Sequence, residues 1–145
     1  MPLINNFYLN GAFAGMVAAL IMSFLLILAR HFKEIDFSFT RALGDYLFKD
    51  FLPEKFERVV GLILHLAIGA FFGIVYNVFS IKFDLAIDLL SGMAFSLLPW
   101  ALMMLVFFPL FKKGIFGIKI GKHIRMVMLI LHLIYGIVLG LLLSF

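Results

Sequence analysis

The stretch Leu62-Ile63-Leu64-His65-Leu66-Ala67-Ile68-Gly69-Ala70-Phe71-Phe72-Gly73 decides how this chain folds. It carries no acidic or basic residue apart from one histidine and is apolar on every side, the mark of a helix surrounded by hydrocarbon rather than lying at a water boundary. It recurs 67 residues later as Leu129-Ile130-Leu131-His132-Leu133-Ile134-Tyr135-Gly136-Ile137-Val138-Leu139-Gly140, with Arg58 and Arg125 leading the two copies in one register. A histidine is costly in hydrocarbon, so a repeated one marks the place where chemistry would sit.

Composition agrees with that reading. Of 145 residues, 65% are hydrophobic and 14% charged, and mean hydropathy is +1.17. A soluble domain of this length has no interior large enough for so much apolar surface. Four uncharged runs of about the 20 residues that a bilayer core requires predict membrane-spanning helices at 11–29, 59–80, 89–111 and 126–145. The first run does not read as a cleaved signal peptide, since no basic residue precedes it and it is too long. The fourth reaches the last residue, so no soluble tail is expected. Cysteine is absent, which excludes disulfides and thiolate metal sites.

Eleven of the twelve lysines and arginines fall between the first and second runs or between the third and fourth, and only Lys82 lies on the other side. The positive-inside rule then predicts both long loops in the cytoplasm, both termini outside, and residence in a bacterial cytoplasmic membrane. With two spans per half, the halves enter the membrane in the same direction, giving two helix pairs related by a parallel repeat. The second and fourth spans match closely; the first and third match through Gly15-Met16 and Gly92-Met93.

In the first loop, Leu43, Tyr46, Leu47 and Phe51 recur at three- and four-residue spacing among charges, which predicts a short interfacial helix over 39–52, ended by Pro53. The second loop carries Lys112, Lys113, Lys119, Lys122 and Arg125 with no acid, and its apolar residues predict a dip into the interface with the cations on anionic lipid. Its glycine spacing matches no nucleotide-binding pattern, and nothing points to nucleic acid. Pro99 predicts a kink in the third span, and Trp100 beside it is expected to pack inside the bundle.

Small residues form stripes at four-residue spacing: Gly61, Gly69 and Gly73 on the second span, Gly136 and Gly140 on the fourth, Gly11 and Gly15 on the first. Such stripes let membrane helices approach closely. The expected bundle core is the meeting of the second and fourth glycine faces. His65 and His132 lie within those faces at matched depth. Three readings stay open for them: polar packing, paired ligands of haem b, lined by Met103, Met104 and aromatic side chains, or of another metal, or a quinone, lipid or proton site. His31 and His123 are expected at the membrane edge. No acid lies in a span, which argues against a proton relay or cation path.

The segments Trp100-Ala101-Leu102-Met103-Met104-Leu105-Val106, Pro109-Leu110, Gly114-Ile115-Phe116-Gly117 and Leu131-His132-Leu133-Ile134-Tyr135-Gly136 resemble a family of short bacterial four-helix membrane proteins known as a domain of unknown function. Leu64-His65 with Gly69 and Gly73 is similar to its second-span pattern. The resemblance implies four spans and places both histidines in the family motif; it implies no activity. The expectation is therefore an all-α polytopic membrane protein without enzymatic activity. It would work as a homo-oligomer or as an accessory subunit of a larger membrane complex. A bis-histidine haem module using His65 and His132 is the alternative, and a small-solute transporter a weaker one.

Overall fold

A computed structural model describes residues 7–32 and 36–145, so Lys33, one of the basic residues used above, lies outside the described residues. The described chain is all helical, with four helices long and apolar enough to cross a bilayer, the pattern of a multi-pass membrane protein. These are α1 (Phe7–His31), α3 (Glu54–Lys82), α4 (Leu89–Leu110) and α5 (Ile124–Leu143), with the short α2 (Phe39–Phe48) between the first two.

The spans pair within each half of the repeat. α1 packs along α3, α4 along α5, and the halves join chiefly where α1 meets α5; the backbones of α3 and α4 stay apart, linked by the Tyr76–Ser91 hydrogen bond of 2.7 Å and by Phe72 and Tyr76 against Phe95. This corrects the expectation that the glycine faces of the second and fourth spans meet. A Cβ on Gly15 would strike the backbone of Gly69 and Gly73, and one on Gly11 would strike Gly73 and Ile74. In the second half, a Cβ on Gly92 would strike Gly136 and Gly140, and one on Gly140 would strike Asp88 and Leu89. Each helix thus uses its small face against its own partner. The cost is about 1 kcal/mol of helix propensity per glycine, offset by backbone-to-backbone contact that no side chain permits.

The contacts also settle the register of the repeat. Gly15 against Gly69 corresponds to Gly92 against Gly136, and Gly11 against Gly73 corresponds to Asp88 against Gly140. The match is a shift of 77 residues in the first helix of each pair and 67 in the second.

Gly61 serves a different contact. It faces Thr40, and Gly44 faces Glu57, so these two glycines seat α2 on the start of α3. α2 is shorter than expected: it ends at Phe48, and residues 49–52 turn before Pro53 starts α3. Nor does it simply lie on a lipid surface. Phe39, Leu43 and the preceding Phe37 are buried, so α2 closes one end of the bundle, the end that carries the basic loops.

α4 is not uniform. Pro99 lies inside it, and the five residues Met103–Phe107 form a π-helical turn before α-helix resumes at Phe108–Leu110. Pro99, having no N–H, removes the helical bond to the Phe95 carbonyl, and the π turn that follows widens the helix by one residue. The turn buries Met103 and Met104.

Candidate functional site

The two helix pairs enclose a site near the basic end of the bundle. Its register follows from the seams. Stepping from Gly15–Gly69 toward that end puts Ala19 level with His65. A helical side chain leans toward the N-terminus of its own helix, which carries the His65 ring one turn further, to Ser23. The Oγ of Ser23 lies 2.8 Å from Nδ1 of His65, both residues being buried.

The second half answers differently. The position equivalent to Ser23 is Trp100, whose indole offers no acceptor. His132 therefore turns Nδ1 onto the carbonyl of Met128 on its own helix, at 2.7 Å. A carbonyl only accepts, so that nitrogen carries the hydrogen and Nε2 of the neutral ring is left as an acceptor. The repeated histidines thus have unlike partners, and the site is only pseudo-symmetric.

Both imidazoles line two adjoining voids of about 40 Å³ each. Met22 and Pro99 face these voids from equivalent places in α1 and α4, and Leu26 and Met103 do the same. Tyr135 ties the halves together above them, its hydroxyl donating to the Gly69 carbonyl at 2.8 Å. Below, Phe39 of α2 seals the site, with its ring edge-on to His65 at 5.0 Å between centroids and near Phe107 at 5.8 Å. Each void has room for one or two waters. Pockets that hold drug-sized ligands run to roughly 300–1,000 Å³, and a haem needs space of that order. As packed, the interior leaves no room for a macrocycle between the histidines. What the arrangement offers is a pair of imidazoles beside a small space with otherwise mostly apolar walls.

The remaining site residues separate. His31 and His123 are exposed, and no group of three or more histidine, aspartate or glutamate side chains suited to a metal occurs among the described residues. Trp100 is half-buried, packed against the core of the bundle with its indole nitrogen buried, and also against Phe116 of the second loop, 6.3 Å between ring centroids. That loop folds back on the bundle: its Gly117 is buried against Phe108 and Ile124, and a short 3₁₀ turn spans Ile115–Gly117. Its five cations do not act together. Lys112 and Lys113 line a large cleft with residues of the first loop, Arg125 lines an apolar hollow with Trp100 and Phe116, and Lys119 and Lys122 are exposed.

Ser23, Phe39 and Tyr135 were not singled out from the sequence as site residues. Ser23 was within reach, because a glycine register plus the lean of helical side chains points His65 at it. Tyr135 and Phe39 depend on how the halves and α2 dock, which no local pattern encodes.

The family described as "Family of unknown function (DUF6789)" matches residues 6–145, and the chain belongs to it. No curated protein and no solved structure matches the chain.

Proposed function

We propose that this member of the family is non-enzymatic and works by association within the bilayer, as a homo-oligomer or as an accessory subunit of a larger membrane complex. The supporting observation is uneven cover. In the most apolar stretch of each span, α1 and α5 are 39% buried, α3 only 28% and α4 only 22%. The two least covered spans touch each other only through side chains near their outer ends, Tyr76 with Ser91 and Phe72 and Tyr76 with Phe95. They turn bulky apolar residues outward, Ile63, Phe71 and Phe79 on α3 and Leu90, Leu97 and Leu98 on α4. The glycine seams are already closed within the chain, so this flank is the surface left for a partner, held by van der Waals packing rather than by a hydrophobic drive. We place the basic loops in the cytoplasm of a bacterial cell, on the strength of the eleven basic residues they carry.

The reading is tested by native mass spectrometry and chemical crosslinking of the protein released from its own membrane. A defined oligomer or a stoichiometric membrane partner is expected. A lone monomer under both treatments would overturn it.

A further inference from the structure

A cleft of about 480 Å³ lies at the basic end, between the first and second loops. Five cations line it: Arg30 at the end of α1, Arg41 and Lys49 from α2 and its cap, and Lys112 and Lys113 just beyond α4. Two acids, Asp36 and Asp45, line it as well, which leaves a net charge of +3. Among the described residues only Arg41 of these five is ion-paired, to Glu54 at 3.0 Å and Asp45 at 3.8 Å, and Arg30, Lys49, Lys112 and Lys113 form no ion pair there. Like charges gathered around a concave surface call for an anion with several oxygens, and a phosphate ester matches both guanidinium and ammonium donors.

The cleft does not end in protein. Tyr46, Leu110 and Phe111 form one wall of it and also one wall of a second groove, of about 260 Å³. The rest of that groove is wholly apolar, made by Leu43 and Leu47 of α2, Leu64 and Ile68 of α3, and Phe107 of α4. It lies between α2, the first half of α3 and the basic end of α4. A soluble phosphate would use the cationic cleft alone. A charged head joined to a hydrocarbon chain would use both.

We propose that the basic end of the bundle binds one anionic phospholipid, with its phosphate-bearing headgroup in the cleft of Arg30, Lys49, Lys112 and Lys113 and an acyl chain in the groove between α2, α3 and α4. This goes beyond the association reading and stands without it, since the groove is at the basic end of the flank, away from Phe71 and Phe79. A basic residue at an anionic lipid surface contributes about 1 kcal/mol, or about fivefold in binding, so each lysine lost should cost about that factor.

The test uses the full chain in detergent, titrated with dioleoylphosphatidylglycerol or dioleoylphosphatidylcholine and read by native mass spectrometry. One tightly held phosphatidylglycerol is expected, with phosphatidylcholine held much less. Lys112→Gly and Lys113→Gln should each weaken phosphatidylglycerol about fivefold and leave phosphatidylcholine unchanged. Lys112 holds a positive φ that glycine adopts freely, so Lys112→Gly should keep the fold, and its melting temperature separates lost binding from misfolding. Leu47→Trp, which fills the groove from the exposed face of α2, should weaken phosphatidylglycerol while the fold, checked by circular dichroism, is kept. Equal retention of the two lipids, or binding indifferent to both lysine variants, would overturn the site. Displacement by equimolar inorganic phosphate, together with indifference to Leu47→Trp, would overturn the lipid and assign the cleft to free phosphate.

Discussion

Ser23 on α1 and His65 on α3 meet in the protein interior at 2.8 Å, whereas the repeated His132 has no such partner on the neighbouring helix and bonds within its own. The asymmetry is measurable. Hydrogen bonds between membrane helices contribute about 0.6 kcal/mol on average and up to about 1.7. A double-mutant cycle with Ser23→Ala and His65→Leu should give a coupling energy in that range. The corresponding cycle with Trp100→Phe and His132→Leu should give none. Thermal unfolding in detergent supplies both numbers, and equal coupling in the two halves would contradict the register assigned to the repeat.

Gly15→Ala and its counterpart Gly92→Ala set two effects against each other. Alanine gains about 1 kcal/mol of helix propensity over glycine. The new Cβ, however, lands on backbone atoms that cannot give way, with Gly73 Cα 3.0 Å from the Gly15 position and Gly140 N 3.0 Å from the Gly92 position. Overpacking of about 1–3 kcal/mol should win. Both variants are expected to unfold at lower temperature than the parent, by similar amounts. A rise in either melting temperature would mean that its seam is looser than described.

Much of this was legible in the residues themselves. The four spans follow from hydropathy, and the repeat follows from His65-to-Gly73 and its copy at His132-to-Gly140. The weak match of Gly15-Met16 to Gly92-Met93 turned out to be the true register, since those glycines occupy equivalent seams. Which face each stripe meets was not legible: Gly69 and Gly73 accept any small-residue partner, and Gly11 with Gly15 fits as well as Gly136 with Gly140. That Trp100 also meets Phe116 was not legible, because it depends on the fold-back of the second loop. The shortening of α2 reflects residues 49–52, whose apolar spacing continues a helical pattern that the turn into Pro53 interrupts.

Lys112 offers a gain instead of a loss. It holds φ +59° at the end of α4, where the Lys113 N–H reaches the Phe108 carbonyl at 2.8 Å and the Lys112 N–H the Pro109 carbonyl at 2.9 Å. This is the Schellman closure, which favours glycine at the left-handed position. Lys112→Gly removes a cost of about 1–2 kcal/mol and should raise the melting temperature; a drop would contradict the cap.

Asp88 caps α4, accepting from the Ser91 N–H at 2.7 Å while the Ser91 hydroxyl faces the Asp88 N–H at 3.0 Å. The Ser91 backbone bond, helped by its hydroxyl, holds the Asp88 carboxyl below its ordinary value near 3.8. A depressed carboxyl adds stability above the unfolded pKa and loses it as pH falls through the folded one. The cap's pH-dependent part is therefore intact at neutral pH and disappears below about pH 4. Melting temperatures measured from pH 6 down to pH 3 should fall less steeply for Asp88→Asn than for the parent. Identical slopes would contradict the assignment.

The central claim, association through the α3–α4 flank, has a direct test because the chain contains no cysteine. Single cysteines at Phe71 and Phe79 of α3 and at Phe24 of α1, all exposed, can be oxidised in native membranes and resolved by non-reducing electrophoresis. The account predicts a crosslinked species, either a dimer or an adduct to one partner, from Phe71→Cys and Phe79→Cys and not from Phe24→Cys. Crosslinking from Phe24→Cys alone, or from none of the three while each stays accessible to a maleimide, would contradict it.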